Sequence, residues 1–232
     1  MLKVIEHLLD KNSKIKIPSH CKRVKIDVGL SVSAPNSELW LQKDEDLCVF
    51  GFEPNKYNVQ TLLNGCTLWP VNLKKERINN NFFLIECALS DKIEEEIEFY
   101  CTEGDGGTSS LFKPNYFQIK EITKVPLITL EYFFNFFPWN KINLIEQIKI
   151  DAQSSDLNII KGIGNYLQEK IVYLDVETTT GNQYSSRENS LDIKNLLEKN
   201  NFECIKWNTN ATFINRKYKN IAKNINYIIQ DL

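Results

Sequence analysis

The chain has 232 residues, enough for one domain with a sizeable core, and its 42% hydrophobic and 25% charged residues are typical of a globular protein. Its formal net charge of −2 gives no reason to expect a nucleic-acid partner, and no apolar run is long enough to cross a membrane. The six cysteines form no CxxC pair, so reduced thiols in a soluble, intracellular protein are expected rather than disulfides or zinc ligands.

Hydrophobic periodicity and turn residues predict an alternation of strands and helices in the first third of the chain. Residues 3–11 are predicted to form a short helix. It lies within the N-terminal segment 1–22 and is expected to be either a lid or a packing element. The next predicted elements are strand 23–28, helix 35–43, strand 47–52, helix 55–63 and strand 82–89. Strand, glycine turn, helix, strand and acid is the layout of a nucleoside-binding α/β unit.

The alternation is interrupted over residues 92–130, which are predicted to be an insertion. Residues 97–100 and 125–130 are strand-like, and 104–110 contains three glycines, as expected of a connector that covers a site. The aromatic run 132–137 is more typical of a core than of a ligand pocket.

The alternation then resumes to the end of the chain. Strand 145–151, helix 156–169, strand 171–177 and helix 190–200 are followed by two closing strands, 202–207 and 211–215, and a terminal helix at 218–232. This order predicts an open, mostly parallel sheet with helices on both faces and a C-terminal antiparallel hairpin.

Five acidic residues lie at the predicted carboxyl ends of strands, where ligands bind in open α/β sheets. They are Asp27, Glu53, Asp151, Asp175 and Glu177. Each alone is explained equally well as a solvated acid or a helix cap. Together at one rim they favour a ligand site.

The turn after the first strand carries small residues that allow close approach of the backbone to a ligand. Gly29, Ser31 and Ser33 lie there, and Glu53 follows at about the offset of a ribose-binding acid. The full three-glycine dinucleotide fingerprint is absent from this turn.

Four blocks of sequence occur in an order that resembles the FkbM-like family of S-adenosylmethionine-dependent methyltransferases. They are IDVG at 26–29, FGFEPN at 50–55, CALSD at 87–91 and KIDAQSSD at 149–156. The resemblance runs from about residue 23 to 215. It implies one class I methyltransferase-like domain spanning 1–232, with an α/β, Rossmann-like, seven-stranded sheet.

The chain departs from the family pattern at two places. The family usually has Asn and a second Gly where this chain has Ser31 and Ser33, and commonly Glu-Gly where it has Gln153 and Ser154. The turn is most similar to versions found with glycan-modifying enzymes, including those of large DNA viruses. That likeness implies a cytoplasmic protein, in the host cytoplasm if it is viral, with a saccharide or glycoconjugate acceptor.

The resemblance also implies a role for each matching residue. The turn from Asp27 through Gly29 and Ser31 to Ser33 would wrap the methionine part of S-adenosylmethionine, and Glu53 would accept hydrogen bonds from its ribose. Ala88 and Leu89 would lie along the adenine, with Asp91 near its amine. Asp151 would border the methyl group and the acceptor.

Two ways of activating a sugar hydroxyl remain open at this stage. Asp151 is a candidate general base, and Lys149 is a second candidate if burial lowers its pKa; otherwise Lys149 pairs with an acid. Alternatively, Asp151 and Glu177, with Asp175 as a substitute, bind Mg²⁺ as hard oxygen ligands. Glu177 is equally explained as a residue that orders the following loop.

Three classes of function are therefore compared. An O-methyltransferase acting on a sugar hydroxyl is the first. A nicotinamide-dependent oxidoreductase is the second, since Glu53 also suits NAD(P), and a non-catalytic nucleoside-binding domain is the third. Asp151 and Glu177 argue against the third class, and the sparse glycines argue against the second.

Overall fold

The computed structural model describes residues 3–104, 107–178, 182–186 and 189–225. The strands are β1 (Arg23–Val28), β2 (Leu47–Phe52), β3 (Phe82–Ile85), β4 (Ala88–Leu89), β5 (Glu94–Thr102), β6 (Ile119–Ile128), β7 (Ile145–Ile150), β8 (Ile171–Glu177), β9 (Phe202–Lys206) and β10 (Asn210–Asn215). The α-helices are α1 (Pro35–Lys43), α2 (Lys56–Asn64), α3 (Leu130–Asn135), α4 (Asp156–Lys161), α5 (Tyr166–Lys170), α6 (Ser190–Lys199) and α7 (Lys219–Ala222). Short 3₁₀ helices lie at Lys3–Leu8, Lys75–Arg77 and Arg216–Tyr218.

Seven strands form one sheet in the order β3-β2-β1-β7-β8-β10-β9. The neighbours from β3 to β8 are parallel, whereas β10 runs antiparallel to both β8 and β9. This arrangement confirms the predicted Rossmann-like α/β class with its C-terminal antiparallel hairpin.

Alternate residues of β2 belong to two separate hydrophobic cores, because successive side chains of a strand point to opposite faces. Cys48, Phe50 and Phe52 pack in the larger core with α3, α4 and α6. Leu47 and Val49 pack in a smaller core with α1 and α2. The near-continuous apolar sequence of β2 follows from burial on both faces.

The parallel strands end in register at one edge of the sheet. Val28 of β1 pairs with Phe52 and Ile150, and Ile150 pairs with Val176. The chain leaves β1 toward β2 and β3 and returns to the other side of β1 as β7. That reversal makes the carboxyl ends of β1 and β7 the crevice in which α/β sheets bind ligands.

The predicted strand 82–89 is two strands in two sheets, so this expectation was wrong in its extent. β3 lies in the main sheet, and β4 lies in a second sheet of order β4-β6-β5 formed mainly by the insertion. The main-chain N–H of Cys87 turns back to the carbonyl of Ile85, which ends the first strand. The break was not predicted because apolar residues make up both strands and only Glu86 and Cys87 separate them.

The predicted helix 156–169 is likewise divided, into α4 and α5, at two glycines. Gly164 has a φ of +61°, outside the helical region. A Cβ at Gly162 would lie 2.0 Å from the carbonyl oxygen of Ser90, so the backbone packs there at a distance that only glycine allows. Close packing therefore ended α4 where the hydrophobic periodicity continued.

Three further predictions concern the aromatic run 132–137, the cysteines and the C-terminal helix. Phe133, Phe134 and Phe137 of the aromatic run are buried in the larger core, as predicted. All six cysteines are free thiols. Of the predicted terminal helix, α7 covers four residues, and 226–232 lie outside the described residues.

No helix in the described ranges is both long and apolar enough to span a bilayer.

Candidate active site

Two adjoining clefts open at the carboxyl ends of β1, β2 and β7. The first cleft, of about 590 Å³, is lined in part by Glu53, Ala88, Leu89 and Ser109. The second cleft, of about 1170 Å³ including its open mouth, is lined in part by Asp27, Ser33, Trp69 and Lys149. Both clefts share Gly29, Ser31 and Asp151.

Gly29 lies where the end of β1 meets the end of β7. It has a φ of +76°, and a Cβ there would lie 1.8 Å from the carbonyl oxygen of Asp151. The N–H of Asp151 donates to the carbonyl of Val28 at 3.1 Å. Gly29 is therefore required by packing against β7 as well as by the left-handed backbone.

Asp27, next to the end of β1, is almost fully buried with 1% exposure. Its Oδ2 accepts a hydrogen bond from Ser37 Oγ at 2.6 Å, but among the described residues no group donates a hydrogen bond to Oδ1. Burial raises the pKa of Asp27 against the opposing charge of Lys149. Asp27 lines the second cleft, and its Oδ1 retains unused capacity to accept a hydrogen bond.

Glu53 holds the turn that follows β1. Its Oε2 accepts from the N–H groups of Leu30 at 3.1 Å and Ser31 at 3.0 Å, and its Oε1 accepts from Asn55 N–H at 2.9 Å. Burial raises the pKa of Glu53 to about 7 despite these hydrogen bonds. The Asn58 side chain is a further hydrogen-bond partner, so these protein groups account for the roughly four acceptor positions of the carboxylate.

Most of the residues predicted to bind a cofactor border one cleft or both. Ala88 and Leu89 line the first cleft and Ser33 lines the second. Asp91 is exposed and lines neither; its Oδ1 accepts from Ser90 Oγ at 3.2 Å. Residues 3–22 do not contribute to the lining of these clefts, and Ile5 and Leu8 pack in the larger core, which is the packing alternative rather than a lid.

The insertion forms the outer wall of the first cleft. Gly107 and Ser109 line it, and Asn55 Nδ2 donates to Ser109 Oγ at 3.3 Å. Ser110 Oγ donates to the carbonyl of Gln153 at 2.6 Å. The insertion is therefore hydrogen-bonded both to Asn55, the residue before α2, and to the loop after β7.

Lys149 lies between the two carboxylates of the second cleft. Its Nζ donates to the Gly29 carbonyl at 2.9 Å and lies 3.4 Å from Asp151 Oδ2 and 3.7 Å from Asp27 Oδ1. Burial acts to lower the pKa of Lys149, but the Asp151 and Asp27 charges outweigh it and raise that pKa. Lys149 is an ammonium that pairs with acids, so the geometry supports that alternative over a basic amine.

Asp151 and Glu177 form a coupled carboxyl pair at the ends of β7 and β8. Gln153 Nε2 donates to Asp151 Oδ1 at 2.9 Å and to Glu177 Oε2 at 3.1 Å. Burial and the Asp151 charge raise the pKa of Glu177 to about 9. Burial alone would raise the pKa of Asp151, but Lys149 and the surrounding donors lower it. The raised pKa of Glu177 and the lowered pKa of Asp151 favour a pair that holds one proton, with Asp151 as the charged member.

The geometry gives no support to the magnesium interpretation. Within the ranges that the structure describes, no group of three or more His, Cys, Asp or Glu side chains could hold a metal ion. Asp175, the expected substitute ligand, is 2% exposed and accepts from Gln147 Nε2 at 2.5 Å inside the sheet. It lies two positions before the end of β8, too deep to reach the rim.

Gln153, Tyr184 and Trp69 belong to the site but were not predicted to have a role in it. The Tyr184 hydroxyl donates to Gln153 Oε1 at 2.8 Å, with the Thr108 carbonyl 2.9 Å away. Gln153 is one of the positions at which the sequence departs from the pattern of the family it resembles. That departure is a signal by which its role could have been predicted. Tyr184 lies in a polar loop without periodicity, and a bridge to Pro114 brings it to the site.

The Methyltransferase FkbM domain family matches residues 29–204 of this chain. Two solved structures resemble it. The Methanococcus jannaschii fibrillarin pre-rRNA processing protein is 11% identical with a TM-score of 0.42, over 86% of this chain and 68% of that one. A fibrillarin/Nop5p complex is 13% identical with a TM-score of 0.40, over 91% and 79%. No curated protein sequence matches significantly. With the family matched over most of its length, this chain belongs to the FkbM family of S-adenosylmethionine-dependent methyltransferases.

Proposed function

We propose that the protein is an O-methyltransferase that acts on a sugar hydroxyl of a glycan or glycoconjugate. The observation that carries the proposal is the position of Asp151. This residue borders both clefts, its side chain is 34% exposed, and its neighbours keep it ionised. A carboxylate between a cofactor and an acceptor is placed to take the proton of a hydroxyl.

The residues of the two clefts fit S-adenosylmethionine. The first cleft is lined by the acid Glu53 and by the apolar Ala88 and Leu89, a combination that suits a ribose and an adenine ring. Asp27 Oδ1, buried without a hydrogen-bond donor among the described residues, suits the methionine ammonium group. Gly29 lets the backbone approach the ligand. When bound, the cofactor supplies a methyl group on a sulfonium centre that is open to displacement.

The protein's own contribution is to align the acceptor hydroxyl and receive its proton. Asp151 accepts the hydroxyl hydrogen, while the Lys149 ammonium 3.4 Å from Oδ2 stabilises the carboxylate. The Gln153 amide fixes Oδ1 in direction. Since the pKa of Asp151 is lowered, the proton passes to it as the displacement proceeds rather than beforehand.

The second cleft supports a sugar as the acceptor. Its lining combines charged side chains with apolar ones, which suits a ring that carries hydroxyls at its edge and C–H groups on its face. The absence of a nucleic-acid partner and the cytoplasmic location stay predictions from composition.

Calorimetric titration with S-adenosylhomocysteine, with NAD as the control ligand, tests the cofactor. Transfer of labelled methyl from S-adenosylmethionine to a panel of methyl glycosides tests the acceptor. We expect selective binding of S-adenosylhomocysteine and transfer to at least one glycoside, unchanged by EDTA. Preference for NAD would indicate the oxidoreductase class, and cofactor binding without transfer to any acceptor would indicate a non-catalytic domain.

A further inference from the structure

The second cleft has two chemically different sides. Asp27, Lys149 and Asp151 form a charged floor at the ends of β1 and β7. Trp69, with Pro70 and Val71 beside it, supplies an apolar part of the lining of the same cleft. A ligand held between them needs polar groups along one edge and an apolar face.

The Trp69 side chain is partly exposed to solvent and is not packed in a hydrophobic core. The residue is 47% exposed, whereas Trp40 in the smaller core is 1% exposed. Among the described residues, no aromatic or cationic side chain packs on the Trp69 ring. Trp207, another exposed tryptophan, does have such partners, in Phe213 and Lys194.

The backbone that carries Trp69 is fastened at the cleft. The Asn72 side-chain amide donates to the Trp69 carbonyl, and Leu73 N–H donates to the carbonyl of Ser33 at 2.8 Å. Ser33 belongs to the turn after β1 and lines the same cleft. The loop that carries the indole is therefore tied to the turn after β1, and Trp69 lines the same cleft as the charged floor.

We infer that Trp69 is the stacking platform for the pyranose ring of the acceptor, an inference that rests on the proposed sugar O-methyltransferase function. The C–H face of the ring packs on the indole, because aromatic rings gain from such contact over a large area at low entropic cost. The hydroxyls at the opposite edge then reach Lys149 and Asp151, while Asp27 interacts with the cofactor. Stacking sets which hydroxyl meets Asp151, so Trp69 determines the acceptor and the position of methylation.

The test compares Trp69→Ala and Trp69→Phe with Trp207→Ala, which removes an exposed tryptophan outside both clefts. For the best methyl glycoside of the panel, we expect Trp69→Ala to raise the acceptor KM about tenfold. Trp69→Phe recovers most of the affinity because it retains a ring, and Trp207→Ala matches the wild type. The Kd for S-adenosylhomocysteine changes less than about twofold in all three variants.

Saturation-transfer NMR with the same glycoside gives a second measurement. Protons on one face of the sugar receive the strongest transfer in the wild type, and that pattern is lost in Trp69→Ala.

An unchanged acceptor KM in Trp69→Ala, with a wild type that methylates the glycoside, overturns this inference alone. An equal loss of S-adenosylhomocysteine affinity also overturns it, because Trp69 would then cover the cofactor. A wild type that binds S-adenosylhomocysteine but neither binds nor methylates any glycoside overturns the proposed acceptor class and this inference with it.

Discussion

The acids at the ends of β1 and β2 differ in their surroundings from those at the ends of β7 and β8. Glu53 is 4% exposed, and its hydrogen-bond partners are three backbone N–H groups near the same two strand ends together with the Asn58 side chain. Asp151 and Glu177 instead share one amide donor, Gln153, and interact with each other. Burial raises the pKa of Glu53 to about 7, whereas burial plus the Asp151 charge raises that of Glu177 to about 9.

The difference separates two uses of a buried carboxyl group. A single buried acid with a pKa near 7 becomes ionised when a ligand donates hydrogen bonds to it. Such an acid is suited to ligand recognition. A coupled pair keeps one proton and one negative charge across the neutral range, which suits a constant acceptor for a hydroxyl hydrogen.

Removing the charged member of the pair has the largest expected effect. Asp151→Asn keeps the shape but cannot take a proton, so we expect turnover to fall by about 10²–10⁴-fold. The Kd for S-adenosylhomocysteine and the circular dichroism spectrum stay close to wild type. Asp91→Asn, which changes an exposed acid outside both clefts, is the matched control and retains activity. Near-normal methyl transfer by Asp151→Asn would contradict the assigned role.

Removing the charge of the single acid acts on binding instead. Glu53→Gln replaces charge-assisted hydrogen bonds with neutral ones, so we expect the affinity for S-adenosylhomocysteine to fall about 10–100-fold. Turnover at saturating cofactor changes far less. Calorimetry measures the first quantity and labelled methyl transfer the second, with thermal melting to check folding. Equal affinity in the variant and the wild type would remove Glu53 from the cofactor site.

We expect the affinity for the cofactor to depend on pH through the ionisation of Glu53. The free protein has a Glu53 pKa of about 7, and ribose hydroxyl donors favour the ionised form. Below pH 7 a proton must leave on binding, so the affinity increases from pH 6 to 8 and then levels off. Calorimetry in buffers of different ionisation enthalpy detects the released proton, and Glu53→Gln shows no such release. A wild-type affinity independent of pH over this range would be inconsistent with the raised pKa.

The proton held by the Asp151–Glu177 pair should make the free energy of unfolding depend on pH. The pKa of Glu177 rises on folding from its ordinary 4.5 to about 9. Its contribution to stability is fully present below pH 4.5 and is lost as the pH rises toward 9. Glu177→Gln does not titrate, so its free energy of unfolding rises relative to that of the wild type between pH 5 and 9. Urea unfolding at the two pH values measures the gain, and an identical pH slope in both proteins would place the proton elsewhere.

The smallest expected effect concerns the backbone beside the pair. Ser154 has a φ of +75°, a left-handed conformation that costs a residue with a side chain about 1 kcal/mol. Ser154→Gly relieves that strain, and we expect a gain of about 0.5–1 kcal/mol in the free energy of unfolding by urea. Ser155, with a φ of −100°, is the control, since glycine there adds only chain entropy and lowers stability. A loss in Ser154→Gly would show that no strain is stored there.

Much of the fold follows from local pattern. The boundaries of β1, α1 and β2 were predicted to the residue because burial, alternation and the proline at the start of α1 all act within a few positions. The cap of α3 is equally local, since the Thr129 side chain accepts a hydrogen bond from Tyr132 N–H. The division at Gly162 was missed because it depends on Ser90, which is distant in sequence.

The sequence by itself determined the α/β class, the family and the acids at the strand ends, because periodicity and strand-end position are local properties. Only the tertiary structure decided which acids act together. It placed Asp175 inside the sheet and Glu177 at the rim, although both lie on one face of the same strand. It also brought Tyr184 to Gln153 and Trp69 to the second cleft. Those contacts join segments far apart in the chain, and their geometry depends on how loops pack over the sheet, which no local pattern encodes.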